Sequence, residues 1–483
     1  MLARVLFAWL SFSLVVLVLG LYSQGEDFEF PHLLLSMWLC IPVGLAVLRG
    51  GLGGASSRQL QYPSVALMII CAWTLAVAPS LVVESEAARY LYHYSPISLV
   101  LARVFFFCWC LLFTYACGEP RLQDFQVRAT MPDFIAILTV AGGLAAYLMR
   151  SGIFSFYQRA GGTASQMVRA GSVESFATSL GMPLFALLPP MFFLVLLQMR
   201  GRLSHYLMAL TGFFGSWGLL FLLGSRTSFA SGVACIFVLC RGLGMRLRAN
   251  VLIGLSIGMP VLLGLVLIYR SALAETETIA TNVSQFISVA SDATAALNEE
   301  QAQDNAFDLV SSNARARLWY GQQFCVLVDQ WLDEGAALRG SLLSGTIATL
   351  PTLIMKDKNA ASTALNFEKL LLDSRRFPDI DLAPMPWMQW LYELGLVGLL
   401  IGSLFYAWFV RLLETRLNKT NSFYETLFWL HMFISILAPE HTTDWLVLTA
   451  RNIFVDVVVV LVLAKILTWF SHLGRRDIKL AVR

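Results

Sequence analysis

The chain has 483 residues, of which 57% are hydrophobic and only 13% charged, with a formal net charge of +3. This is far too apolar for an ordinary soluble domain, where about a quarter of residues are charged. The small positive excess follows a membrane pattern described below, so it does not mark a nucleic-acid surface.

Twelve apolar runs read as membrane spans: 2–22, 32–48, 63–82, 95–117, 133–149, 181–199, 205–223, 228–240, 251–269, 385–410, 422–438 and 446–467. Most approach the roughly 20 residues that a helix needs to cross a bilayer. The opening Met1-Leu-Ala-Arg4 and its apolar run look like a signal peptide. No small-residue cleavage site precedes Gly25-Glu26-Asp27, so the run is taken as an uncleaved first span. The predicted fold class is therefore all-α, a polytopic integral membrane protein. Its parts are an N-terminal membrane bundle of nine spans (1–270), one large extracytoplasmic loop (271–383) and a three-span C-terminal segment (384–483).

Lys and Arg placement sets the orientation. With the N-terminus in the cytoplasm, the inside segments hold seventeen Lys and Arg, from Arg4 to Arg483. The short outside segments hold only Arg89, Arg150, Arg159, Arg169 and Arg226. Twelve spans return the basic C-terminus to the cytoplasm, so both termini are expected inside and the 271–383 loop outside. Of the eight cysteines only Cys325 lies outside the predicted spans, and no pair has zinc-ligand spacing. Neither a metal site nor a cofactor site is expected.

Arg226 lies in LLFLLGSRTSFASGVACIFVL, between the runs 205–223 and 228–240, where it reads as part of a four-residue turn at a membrane face. A cation among apolar residues is costly and is read as functional by default, here toward an anionic ligand. Gly224 and Ser225 beside it permit close backbone approach. Arg103 and Arg451 are two further cations about two turns inside their spans, each needing a carboxylate, a carbonyl or a substrate as partner. Asp456 is five residues beyond Arg451 and off its face, a poor helical partner. Within the loop, 313–334 has apolar residues at helical spacing and reads as an amphipathic helix carrying Arg315 and Arg317. Those two arginines equally suit the solvated face of that helix. The stretch from Gly340 to Ser362 reads as a Gly/Ser/Thr turn region containing Pro351, Lys356 and Lys358.

Several of these features occur together in one family. They are Gly224-Ser-Arg226-Thr at the outer edge of a mid-chain span, an Arg-containing helix in one large outer loop, and Pro351-Thr-Leu followed by Lys356 and Lys358. After them Pro384-Met-Pro386 leads into a span with Glu393-Leu-Gly-Leu-Val-Gly398. Over roughly 205–410 the chain resembles the Wzy-type oligosaccharide repeat-unit polymerases, relatives of the O-antigen ligases. The resemblance implies a bacterial inner-membrane glycosyltransferase of the C type. Its donor and acceptor would be polyprenyl-diphosphate-linked oligosaccharides, joined on the outer face of the cytoplasmic membrane without a nucleotide sugar. A chain-length regulator and a flippase would be its protein partners, with membrane lipid around it and no nucleic acid.

The chemistry of the residues fits such a donor. A guanidinium matches phosphate oxygens with two parallel hydrogen bonds and stays charged at all relevant pH. Arg226 is the first candidate for the diphosphate, then Arg315 and Arg317, then Arg270, which also suits snorkelling from the end of its span. Lys356 and Lys358 add point charge. Cations there would stabilise the leaving diphosphate in the transition state. The acceptor hydroxyl needs a base. The candidates are His441 and Asp444 in Glu440-His-Thr-Thr-Asp444, Asp379 and Asp381 before the tenth span, and Glu393 within it. His441 is assigned the base, because its unperturbed pKa suits neutral pH. Glu393 is assigned a supporting role, with burial demanding either a partner or a raised pKa. A ligase with the same donor is the nearest alternative. A lipid-linked sugar transporter or flippase is the other, although such folds show internal symmetry that is not visible here.

Overall fold

The computed structural model describes residues 94–117, 131–150, 172–198, 203–222, 226–242, 288, 291, 320–335, 338–350, 354–373, 385–420, 423–437 and 442–481. All regular structure among them is helical. In chain order the helices are α1 (Pro96–Cys117), α2 (Met131–Arg150), α3 (Ser172–Gln198), α4 (Leu203–Leu222), α5 (Arg226–Gly242) and α6 (Tyr320–Glu334). They continue with α7 (Ser341–Thr349), α8 (Lys358–Ala364), α9 (Phe367–Asp373), α10 (Pro386–Lys419), α11 (Phe423–Leu437) and α12 (Thr443–Ala481). The predicted spans 2–22, 32–48, 63–82 and 251–269 lie outside the described residues. Two described helical segments, Pro386–Lys419 and Thr443–Phe470, are long and apolar enough to cross a membrane. Shorter apolar helical stretches run over Pro132–Tyr147, Leu184–Leu197 and Ala209–Leu220.

The chain divides into two compact units. One contains α2 to α5, residues 416–434 and α12 from Thr449 onward. There α3 packs against α2, α4 and α5. Its stretch 184–195 is apolar on all sides, with Leu184, Phe185, Leu188, Met191, Phe192 and Val195 all buried, the pattern of a central helix. Small residues let its neighbours approach: a Cβ at Gly212 of α4 would sit 2.0 Å from the Phe192 ring. Small residues at helix contacts are what close packing within a bilayer favours.

The other unit contains α1, α6 to α9, α10 through Thr415 and the first turns of α12. Helix α6 packs on α1, and Phe105 meets Trp331 edge to face at 5.7 Å. Its core is aromatic: Trp387 lies against Phe106 and Trp109, and Trp109 against Tyr406.

Two expectations are corrected here, and one predicted span gains a bend. The stretch from Gly340 to Ser362 is only in part a turn region: it forms α7 and the start of α8, with turn residues 354, 356 and 357 between them. Their Ser and Gly residues are helical because partners from elsewhere in the fold satisfy them, as described below. The predicted span 385–410 falls on α10, which is long and apolar enough to cross a membrane, and it carries a bend. Gly395 has φ 62° and ψ −144°, which breaks α10 and is a conformation that suits glycine. Beyond the break the helix runs back along Trp390. A Cβ at Gly398 would lie 1.9 Å from the Trp390 carbonyl oxygen, and one at Gly402 would lie 2.5 Å from its ring. Thus the glycines of Glu393-Leu-Gly-Leu-Val-Gly398 serve a packed bend. Finally, Arg226 is not in a turn: it is the first residue of α5.

Candidate functional site

The best-defined polar constellation lies where α7 meets α10 and the start of α12. It begins at α1, whose N-terminus has Ser95 before Pro96. Proline suits that first helical position because its missing N–H would have had no partner there. The Ser95 hydroxyl accepts from the Ser98 N–H at 3.3 Å, an N-cap. Asp329 of α6 then takes the Ser95 N–H at 3.2 Å and both serine hydroxyls at 2.6 Å. A carboxylate at a helix N-terminus is favoured by the helix dipole, so this contact fixes α6 on α1.

From α6 the chain turns through Gly335 to Arg339 and Gly340, both glycines having positive φ. Here Glu393 finds the partners that its burial demands. Its Oε2 accepts the backbone N–H groups of Arg339 at 2.9 Å and Gly340 at 3.0 Å, and its Oε1 accepts that of Ser341. Those donors open α7, where N–H groups have no partner inside the helix. Glu393 therefore caps α7 with a charge that its dipole favours. The Arg339 guanidinium lies 4.5 Å over the Tyr392 ring centroid, donates to the Tyr392 hydroxyl and bonds Glu334 at 2.8 Å. Burial lowers the Arg339 pKa, but the hydrogen bonds to Glu334 and Tyr392 outweigh it, leaving a net upward shift.

Gln389 joins this cap to the start of α12. Its carbonyl oxygen accepts the Thr443 N–H at 2.8 Å, and its amide donates to Ser341 Oγ and Asp444 Oδ1, both at 3.4 Å. Asp444 also accepts from Thr442 Oγ1 and from Asn366 at 3.5 Å. Thr443 Oγ1 accepts from Trp390 Nε1 at 3.1 Å and pairs with the Tyr406 hydroxyl at 3.3 Å. Gln389, Glu393, Thr442, Thr443 and Asp444 are all buried. A buried network this fully bonded sets one geometry, because leaving any member unpaired is costly.

Backbone contact seals the same junction. A Cβ at Gly345 of α7 would lie 2.1 Å from the Asp444 carbonyl oxygen and 2.6 Å from its Cα. Backbone cannot swing aside as a side chain can, so Gly345→Ala forces α7 off α12. The expected cost is ~1–3 kcal/mol, the range for overpacking, read as a lower melting temperature of the purified protein. An unchanged melting temperature would mean that this junction is loose.

The other predicted residues fall as follows. Lys358 Nζ donates to the Leu350 carbonyl at 2.7 Å, at the C-terminal end of α7 where a cation is favoured, and Lys356 is exposed. Arg451 is half-buried on α12, its Nε and Nη2 donating to Asn452 Oδ1 at 3.0 and 2.7 Å. This carbonyl is the kind of partner expected for it. Asp456 is buried farther along α12, its Oδ2 without a hydrogen-bond partner among the described residues. Arg103 stands two turns into α1. His441, Arg270, Arg315 and Arg317 lie outside the described residues, as do Asp379 and Asp381.

Glu393 and Asp444, both considered as bases from the sequence, are thus brought together through Gln389 and Ser341. Arg339, Gln389 and Ser341 were not singled out from the sequence. Arg339-Gly340-Ser341 carries one usable signal, a glycine and a serine just before the apolar residues of α7. Gln389 carries none. Comparison of the chain with protein families, with curated proteins and with solved structures returns no match.

Proposed function

We propose that the chain is a twelve-span membrane glycosyltransferase that polymerises polyprenyl-diphosphate-linked oligosaccharides into a surface polysaccharide. The observation that carries this reading is the place of Arg226 in α5. A cation as the first residue of a helix opposes the helix dipole, and no acidic residue lies in that first turn to offset it. The first N–H groups of a helix have no partner within the helix, so a cation at that end is stabilised by an oxyanion, and a diphosphate supplies one. Arg451, in the same compact unit as Arg226, is a further candidate for that charge.

In the proposed reaction an acceptor sugar hydroxyl attacks the anomeric carbon of the donor. A new glycosidic C–O bond forms as the anomeric C–O bond to the diphosphate breaks. The electron pair leaves with the polyprenyl diphosphate, held by the arginines, and the hydroxyl proton passes to His441. Glu393 takes no proton in this scheme. It caps α7 and, through Ser341 and Gln389, steadies Thr442 to Asp444, the residues that follow His441 in the chain.

The test is the surface glycan of a strain lacking the gene, resolved on a gel. The reading expects single repeat units in place of long chains. Polymer retained on lipid with no attachment to its carrier would mean a ligase. Complete loss of surface glycan with repeat units accumulating inside would mean a transporter.

A further inference from the structure

Helix α7 has its polarity reversed for a helix in a water-exposed loop. Its buried side carries Ser341, Ser344 and Gly345. Leu343 on the other side is 58% exposed, and Leu338 before the helix and Ile354 after it are 80% and 72% exposed. In water a helix buries its leucines and exposes its serines. The small inward residues are required by what they touch. Ser341 is held by Glu393, Ser344 and Ser362 exchange hydroxyl-to-carbonyl hydrogen bonds at 2.9 Å, and Gly345 meets the Asp444 backbone. Leu343 consequently faces outward, on the chain between the exposed Leu338 and Ile354.

Their position identifies what covers them. Helix α7 abuts the first turn of α12, one of the two segments fit to cross a membrane, and Trp445 in that turn is exposed. Tryptophan at the end of a span sits at headgroup level. The exposed Lys356 lies two residues from Ile354, a cation able to reach lipid phosphates while apolar neighbours go deeper. We propose that α7 and its flanks lie in the membrane interface on the side where α12 begins, with Leu338, Leu343 and Ile354 among the lipid acyl chains. The loop would then be anchored to the bilayer and not held free in water. This inference rests on the membrane location alone and stands or falls independently of glycosyl transfer.

A photo-reactive benzoylphenylalanine placed singly at 338, 343 or 354 tests it. Each variant of the full chain is purified into nanodiscs of phosphatidylethanolamine and phosphatidylglycerol, with the exposed position 333 of α6 as control. Irradiation is expected to give lipid adducts at all three positions, at least several-fold above position 333. Lipid yields no higher than at position 333, or adducts mainly to a second protein chain, would overturn the proposal. Leu338 and Ile354 lie outside helices, so they decide the outcome if the Leu343 variant fails to fold.

Discussion

Replacing Arg226 by alanine is expected to abolish polymer while leaving the amount of protein in the membrane unchanged. Arg226 is the first residue of α5, where a positive charge opposes the helix dipole, so its loss is not expected to weaken the helix. On the proposed reading, what is lost is the positive charge that would meet the leaving diphosphate. Loss of a single donor aimed at developing negative charge costs about 10²–10³-fold in rate, and a guanidinium contributes two. Arg226→Lys separates charge from shape. Lysine keeps the charge but not the planar fork, and a hydrogen bond to a charged group contributes about 1.5–3 kcal/mol. The lysine form is therefore expected to retain roughly a tenth to a hundredth of the activity. Polymer length and amount, measured beside a quantitative immunoblot, give the answer. Full activity in the alanine form would remove Arg226 from the site. Full activity in the lysine form would mean that charge alone suffices.

His441→Ala and Glu393→Gln are expected to fail in different ways. Loss of a general base lowers turnover by about 10²–10⁴-fold and spares donor binding and protein level. Glu393→Gln instead turns an amide NH₂ toward N–H donors that now share two carboxylate oxygens. At least one buried donor is left unpaired and the charge on the α7 dipole is lost, a cost of about 1–3 kcal/mol for the unpaired group alone. Its signature is a lower melting temperature and less protein in the membrane, with any loss of polymer in proportion. A stable, abundant Glu393→Gln protein with no turnover, beside an active His441→Ala, would move the base to Glu393.

Helical class and most described helices were legible in the sequence because long apolar runs speak directly to bilayer thickness. The ends of α1, α2, α4 and α11 lie within a few residues of the predicted spans. What periodicity could not show was anything set by distant partners. Helix α7 reads as a turn by composition, since Ser, Gly and Thr are poor helix formers. It is a helix because Glu393, some fifty residues later, takes its open N–H groups. The bend at Gly395 was hidden for a similar reason: an apolar run that contains glycine looks the same whether straight or folded back on Trp390. Of the site, Glu393 stood out as a carboxylate inside an apolar run, and its need for a partner was predictable. The identity of that partner, three consecutive backbone N–H groups, was not.

The central claim is tested most directly with the purified full chain in nanodiscs, supplied only with a polyprenyl-diphosphate oligosaccharide. The products are resolved by mass after addition of a metal chelator. The account predicts a ladder of oligosaccharides that differ by whole repeat units, one polyprenyl diphosphate released per bond formed, and no dependence on a nucleotide sugar. Donor recovered intact from chelator-free, magnesium-supplemented reactions as well would contradict glycosyl transfer by this protein, and a ladder that appears only when magnesium is restored would contradict its metal-free mechanism.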